Sequence, residues 1–221
     1  MNSGNKNSTR IDTPLHKMTY LIVDDFPSAR KSVRGMLGQL GVENIFEAGT
    51  AAQVKKLLKD RHFDIVICDF NLGVGQDGQQ LLEEMRTTKA ITHLTQWVIV
   101  TAETSKDMVM GAVEFQPDDY LAKPFAFDTF KLRLDKWVRR INDLAPFLTA
   151  LDKEDSATIV ATAQSVIDHQ PRYRAWARRM LVSTWIENNE LDTAETYLNE
   201  ILQKRQQDWA MFELARIQMR R

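Results

Sequence analysis

The chain has 221 residues, of which 43% are hydrophobic and 27% are charged, and its formal net charge is −1. This balance is typical of a folded globular protein with one or two domains, and it excludes a global positive field that would recruit nucleic acid or an anionic membrane. The single cysteine, Cys68, excludes an intrachain disulfide, and no apolar run reaches the roughly 18 residues of a membrane span. The first residues lack a hydrophobic leader, so we expect a reducing, cytoplasmic setting.

Residues 1–17 are polar and predict a mobile tail. Residues 18–145 alternate short apolar runs with helical periodicity, which predicts five strand–helix units. The predicted strands are TYLIVDD, NIFEAG, FDIVICDF, QWVIVTA and DYLAKPF; the helices are PSARKSVRGMLGQL, TAAQVKKLLKDRHF with Thr50 as N-cap, GQQLLEEMRTT, SKDMVMGAVEF, and a last one from Phe127. Five consecutive units of this kind predict an α/β domain with an open parallel sheet and helices on both faces.

Residues 146–221 contain no strand candidate and predict a second, all-α domain. Four consecutive helices are expected, at TIVATAQSVIDHQP, YRAWARRMLVSTWIENNE, LDTAETYLNEILQKRQ and DWAMFELARIQMRR. Ala175-Trp176 and Trp209-Ala210 recur about 34 residues apart, which is a helix-pair period.

Charged and hydroxyl side chains end four of the predicted strands. Asp24 and Asp25 end the first strand, Asp69 the third, Thr101 the fourth and Lys123 the fifth. Because the carboxyl ends of parallel strands form one rim of such a sheet, we expect these side chains to converge there. Three carboxylates and one ammonium form a hard-oxygen site suited to Mg²⁺ and a phosphoryl group.

Asp69 is the best candidate for a phosphoryl acceptor. The third strand is central in a sheet of this type, so Asp69 lies in the middle of the site, and an Asp nucleophile that forms an acyl phosphate is chemically sound. Lys123 would balance charge, and Thr101 would hydrogen-bond a phosphoryl oxygen.

The motifs LIVDDF, ICDFN, VTAE and YLAKPF, in this order and at these strand ends, resemble the receiver domain of two-component response regulators, above all the single-domain chemotaxis regulator. The resemblance implies a flavodoxin-like fold with strand order 2-1-3-4-5. It implies phosphorylation of Asp69 by a histidine kinase or phosphotransfer protein, and no enzymatic activity beyond the gain and loss of that phosphoryl group.

The resemblance also implies site roles. Mg²⁺, or Mn²⁺ in its place, would lie on Asp25, Asp69 and the main-chain carbonyl of Asn71, with Asp24 acting largely through water. Thr101 and Tyr120 would form the switch, and Asn71 and Glu103 would tune the phosphoryl lifetime.

Two segments depart from the family pattern. The loop after the acceptor reads NLGVGQDG, with Gly73 where the family has Pro and one residue more before Asp77-Gly78. Gln116-Pro117 replace the usual Gly-Ala before the fifth strand, which alters a surface where partners often bind.

Two other interpretations of these segments are weaker. The segment GVGQDG matches a dinucleotide motif, but it follows the third strand and lacks the acid expected about 20 residues later. An Asp-nucleophile phosphatase would need a second Asp where Asn71 stands. Cys68 is expected to be a buried small hydrophobe.

The helix pairs of residues 146–221 resemble tetratricopeptide repeats, which predicts binding of a protein partner of unknown identity. With 10 basic and 11 acidic residues, this region lacks the positive surface of a DNA-binding domain. The alternative is a transcriptional regulator that uses the arginines between Arg172 and Arg179. The sequence stops inside a first repeat helix, which would either cap the array, drive homodimerisation through an exposed apolar face, or mark a fragment of a longer protein.

Overall fold

The structure, a computed structural model, describes residues 13–73, 75–102 and 116–221. These residues belong to two compact units, one that ends at Ala145 and one that covers Pro146–Arg221. In the described part of the chain, no helix is both long and apolar enough to cross a membrane.

The first unit is built on a five-stranded parallel sheet. Its strands are β1 (Tyr20–Val23), β2 (Ile45–Ala48), β3 (Ile65–Asp69), β4 (Gln96–Thr101) and β5 (Asp119–Ala122), in the order β2-β1-β3-β4-β5. The predicted flavodoxin-like topology is therefore confirmed. In the register, Cys68 lies between Val23 of β1 and Ile99 of β4, so these strands end at one edge of the sheet.

Helices cover both faces of this sheet. They are α1 (Pro27–Gln39), α2 (Ala51–Asp60), α3 (Gly78–Thr87) and α4 (Phe127–Asp152). Pro27 opens α1 at a position where its missing N–H costs nothing. Thr50 caps α2, as predicted, because its side chain accepts a hydrogen bond from the Gln53 amide.

The core consists of two apolar layers, one on each side of the sheet. One layer joins α1 and α4 to residues such as Ile22, Ile67 and Val100. The other joins α2 and α3 to Val23, Cys68 and their neighbours. Because both faces are covered, β1, β3 and β4 are buried along their whole length, which explains their continuous apolar sequences.

Two predictions for the first unit concern segments that the structure describes only in part or not at all. The predicted fourth helix, SKDMVMGAVEF, lies outside them. Of the predicted tail, residues 13–17 are described, and they contact the unit: Leu15–Lys17 form a 3₁₀ turn, and the Leu15 carbonyl accepts a hydrogen bond from the Tyr20 hydroxyl at 3.0 Å.

The helix that begins at Phe127 continues beyond the point at which the sequence pattern changes. That change comes at Pro146, and α4 runs through Pro146 to Asp152. Proline removes one helical hydrogen bond and so weakens a helix interior. Buried side chains on both sides of it, Leu144 and Phe147, keep the segment helical.

The second unit is all-helical, as predicted. Its helices α5 (Ser156–His169), α6 (Arg174–Glu187), α7 (Leu191–Lys204) and α8 (Asp208–Arg220) pack against their neighbours in sequence. The helices α6 and α8 begin 34 residues apart, and Ile167 of α5 and Ile201 of α7 are both buried at the same spacing. These helix starts and buried isoleucines have the same spacing as the recurrence noted in the sequence.

Candidate functional site

Three carboxylates meet at the carboxyl edge of the sheet. Asp24 and Asp25 follow β1, and Asp69 is the last residue of β3. One oxygen of each lies within 4.8 Å of the others. Since like charges at this separation repel one another, the cluster needs a cation to balance it.

Lys123 supplies part of that balance. Its ammonium donates hydrogen bonds to Asp24 Oδ2 at 2.9 Å and to Asp69 Oδ1 at 3.0 Å. Burial acts to lower the pKa of Lys123, but the hydrogen bonds and charges of the two aspartates outweigh it and raise that pKa. Lys123 is therefore a fixed positive charge of the site.

Asp69 is only 9% exposed. Burial raises the pKa of its carboxyl, the hydrogen bond and charge of Lys123 lower it, and the charges of Asp24 and Asp25 raise it again. The net direction is upward, so the ionised form of Asp69 is less favourable here than in water.

The oxygens of the first two aspartates differ in their partners. Both carboxylate oxygens of Asp24 accept hydrogen bonds. Oδ2 accepts one from the Lys123 ammonium, and Oδ1 accepts one from the Phe26 amide at 2.8 Å. Asp25 Oδ1 is buried and has no hydrogen-bond donor among the described residues. An orphaned carboxylate oxygen beside two further carboxylates is the donor set that Mg²⁺ prefers, so the residues fit this ion.

Thr101 and Lys123 are joined through the backbone. Thr101 ends β4, is 6% exposed, and lies opposite Ala122 of β5. Its carbonyl accepts a hydrogen bond from the Lys123 amide at 2.7 Å. The structure thus brings five predicted site residues to one rim: Asp24, Asp25, Asp69, Thr101 and Lys123.

Three further residues were predicted for the site: Tyr120, Asn71 and Glu103. Tyr120 on β5 is partly buried and packs against the core layer of α2 and α3, and burial raises the pKa of its hydroxyl. The side-chain oxygen of Asn71 accepts a hydrogen bond from the main-chain amide of Gly73, so the Asn71 side chain is held in a local turn. Glu103 lies outside the described residues.

Arg30 on α1 supports the acidic pair, and the sequence analysis missed it. Its guanidinium donates to the main-chain carbonyl of Asp24 at 2.7 Å and to Glu47 on β2 at 3.2 Å. An arginine one turn into the helix after an acidic pair is the signal that could have found it. Arg34 donates to the same Glu47 at 2.7 Å but to no site aspartate in the contacts described.

The start of α3 packs directly against β3. A side-chain carbon at Gly78 would collide with the main-chain oxygen of Asp69, so glycine is required there. Asp77 caps the helix by accepting from the Gln80 amide at 2.7 Å, while Gln80 bonds back to the Asp77 amide at 3.1 Å. This capping box fixes the end of the loop NLGVGQDG beside the site.

A cavity of about 280 Å³ adjoins the rim. Asp24, Asp69 and Lys123 line one side of it, and apolar side chains such as Met36 and Phe125 line another. The rim is therefore open to a group of moderate size.

Three arginines of the second unit have contacts within it. Arg174 donates to the Ile167 carbonyl at 2.6 Å, and Arg179 lies 5.6 Å from the ring centre of Trp209. Burial raises the pKa of the Tyr197 hydroxyl, and the charge of nearby Arg178 opposes that rise. These contacts favour a packing role for the cluster over a DNA-reading role.

Comparison with known proteins identifies relatives of the first unit. The family profile "Response regulator receiver domain" matches residues 20–135. The chain is 35% identical over 124 residues to "Chemotaxis protein CheY-3" of Vibrio cholerae serotype O1, a match that spans 56% of this chain and 94% of that protein. It is 32% identical over 125 residues to "Chemotaxis protein CheY" of Pseudomonas aeruginosa, covering 57% of this chain and 99% of that protein.

Solved structures share the fold of this unit. A two-component response regulator from Clostridium difficile superposes with a TM-score of 0.51 at 22% identity, over 57% of this chain and 99% of that one. The signal receiver domain of a LuxO repressor protein from Vibrio parahaemolyticus gives 0.50 at 20% identity, over 56% of this chain and 92% of that one.

Proposed function

Since the chain belongs to the response regulator receiver family over residues 20–135, we propose that Asp69 accepts a phosphoryl group from a histidine kinase or phosphotransfer protein. The observation that supports this most directly is the cluster of Asp24, Asp25 and Asp69 with Lys123 bonded to two of them. The match to the receiver family and the similarity to chemotaxis proteins also support it, because response regulators are the class in which such a transfer is expected.

In the proposed transfer, an Asp69 carboxylate oxygen forms a bond to phosphorus. The bond between phosphorus and the donor histidine nitrogen breaks, and its electron pair returns to the imidazole. Lys123 holds one Asp69 oxygen in place and offsets negative charge on the phosphoryl oxygens. Thr101, at the end of the neighbouring strand, would donate a hydrogen bond from its hydroxyl to a phosphoryl oxygen.

Asp25, Asp69 and the Asn71 carbonyl would hold Mg²⁺, with Asp24 as an outer partner. When bound, the ion neutralises charge on the carboxylates and on the phosphoryl oxygens. Mn²⁺ has the same preference for oxygen ligands and would substitute for it.

The proposal also includes a conformational switch and residues that set the lifetime of the phosphoryl group. Thr101 would move toward the phosphoryl group and Tyr120 would change its burial, which alters the surface of β5 and α4. Asn71 and Glu103 would set the lifetime of the phosphoryl group. The chemistry is the gain and loss of one phosphoryl group by the protein itself, without turnover of an external substrate.

For residues 146–221 we propose a repeat unit of the tetratricopeptide type that binds a protein partner. The supporting observations are the recurrence of helix starts after 34 residues and the sequential packing of α5 to α8. The boundary of the two proposed domains lies between residues 145 and 146, in agreement with the division into compact units.

The test is direct labelling. The full chain is incubated with Mg²⁺ and acetyl phosphate, and intact mass is measured for a base-labile adduct of one PO₃H unit. We expect one adduct on the wild type and on Asp60→Asn, an exposed acid of α2, and none on Asp69→Asn. Equal labelling of the wild type and Asp69→Asn, or no adduct on either, would overturn the proposal.

A further inference from the structure

An open groove of about 460 Å³ lies in the helical unit, between the end of α6 and one side of α7. We call it the acidic groove, and six residues line it: Trp185, Asp192, Thr193, Thr196, Tyr197 and Glu200. The receiver chemistry makes no use of it.

The floor of the acidic groove is aromatic and rigid. The rings of Trp185 and Tyr197 meet edge to face, with centroids 5.3 Å apart. Trp185 is 9% exposed, and its ring is held by the packing of α6 against α7. Tyr197 is partly buried, and burial raises the pKa of its hydroxyl. Of the two rings, that of Tyr197 is partly exposed, and an exposed aromatic face attracts cations.

The walls carry negative charge. Asp192 and Glu200 are exposed, and their eight-residue separation places them about 12 Å apart along α7. None of the six lining residues is basic, so the net charge of the lining is negative. The two carboxylates are too far apart to chelate one ion and instead mark two separate cation positions.

The chain already places a guanidinium at one end of this surface. Arg221 pairs with Asp192 and, at 2.7 Å, with Glu195 on the adjacent side of α7. Asp192 is therefore already paired with Arg221, and a basic side chain of a partner would replace Arg221 there.

We propose that the acidic groove binds an extended segment of a partner protein that carries two basic side chains. The alkyl stem of one Arg or Lys would lie on Trp185 and Tyr197, and the two charged heads would pair with Asp192 and Glu200. An extended peptide rises about 3.3 Å per residue, so basic residues four positions apart match the spacing of the two acids. The inference rests on the proposed protein-binding role of the helical unit and specifies the chemistry of its partner.

The negative charge of the acidic groove favours a basic protein segment over a nucleic acid or an acidic peptide. A nucleic acid would bring phosphates next to Asp192 and Glu200, which repel them. An acidic peptide is disfavoured for the same reason.

The test uses the full chain and two fluorescent peptides on a Gly/Ser backbone, one with arginines four positions apart and one with glutamates there. We expect the arginine peptide to bind about tenfold more tightly by anisotropy, with affinity that falls as salt rises. The double variant Asp192→Asn/Glu200→Gln should weaken binding about fivefold, because two exposed ion pairs are lost. Tyr197→Leu should weaken it in the same direction.

The matched control is Glu43→Gln/Glu83→Gln, which removes two exposed charges from the first unit. We expect it to bind the arginine peptide as the wild type does. Equal affinity for the two peptides, or an equal loss in the control variant, would overturn the proposal. Asp69 labelling on the same samples keeps the proposals apart: normal labelling without peptide selectivity rejects only the groove, and the reverse rejects only the phosphoryl transfer.

Discussion

Arg30 connects the acidic pair to the edge of the sheet. Its guanidinium donates to the main-chain carbonyls of Asp24 and Asp25 and pairs with Glu47, so it fixes the backbone that carries both aspartates. It is a positioning residue in the proposed site. Such outer contacts commonly change metal affinity although they lie behind the ligands.

We expect Arg30→Met to weaken Mg²⁺ binding about tenfold, because the aspartate backbone loses its tether. Isothermal calorimetry of the full chain measures this. Arg34→Met is the matched control, since Arg34 shares Glu47 but bonds to the Ile45 carbonyl rather than to Asp24. Comparable losses of Mg²⁺ affinity in both variants would rule out a specific role for Arg30.

The upward-shifted pKa of Asp69 has a consequence for stability. Between its unfolded and folded pKa values, the native protein binds more protons at Asp69 than the unfolded chain does. The contribution of this group to stability is therefore present below the unfolded pKa and is lost as pH rises through the folded pKa. At neutral pH, ionised Asp69 therefore lowers the free energy of unfolding, because it is buried and lies beside two other aspartates.

In EDTA, Asp69→Asn should therefore have a higher free energy of unfolding than the wild type at neutral pH. The advantage should shrink as pH falls through the raised folded-state pKa of Asp69, and it should be gone below the unfolded pKa of Asp, about 3.9. The asparagine side chain can still accept the Lys123 hydrogen bond. Urea denaturation at several pH values measures the difference, and a variant less stable than the wild type at neutral pH would contradict this account.

At the scale of elements, the start of α3 couples a helix cap to the site. The Asp77–Gln80 capping box and the close approach of Gly78 to the Asp69 carbonyl place the helix directly behind the end of β3. A change at the cap therefore reaches the predicted acceptor through the backbone.

Asp77→Ala should lower stability by about 1 kcal/mol and also slow the labelling of Asp69. Asp155→Ala is its counterpart in the helical unit, because Asp155 caps α5 by accepting from the Thr158 amide. That variant should lose a similar stability and keep the wild-type labelling rate. Urea denaturation and timed mass spectrometry report the two quantities, and a labelling rate unchanged by Asp77→Ala would exclude the coupling.

What the sequence could predict depends on the range of the interaction. Apolar runs that end in Asp24, Asp69 or Thr101 predicted the strands and the shared rim, because strand burial and strand ends are local signals. The length of α4 was not predictable, since the contacts of Leu144 and Phe147 override the local effect of Pro146. Arg30 has one local partner, the Asp24 carbonyl, and one distant partner, Glu47 on β2, and only the local one leaves a signal in the sequence.

At the scale of the whole molecule, three carboxylates against one lysine leave the rim with an excess of negative charge. The folded state gathers these charges and the unfolded state disperses them. A cation that binds only the folded arrangement must therefore stabilise the protein.

We expect Mg²⁺ at a hundredfold excess over its Kd to raise the free energy of unfolding by about 2.7 kcal/mol. Asp25→Asn should lose most of this gain, because its orphaned oxygen belongs to the proposed ligand set. Asp60→Asn should keep it. Thermal unfolding with and without the ion provides the measurement, and an equal gain for Asp25→Asn and the wild type would place the ion elsewhere.

Cys68, the one cysteine of the chain, stands next to Asp69 in the central strand and is wholly buried. Burial, together with the charges of Asp69 and Asp24, raises the pKa of its thiol well above the usual range, so a thiol-specific reagent reacts with it only when the strand becomes accessible. The rate of Cys68 alkylation therefore reports how often β3 opens. Because Cys68 lies next to the predicted acceptor, this measurement needs no engineered label.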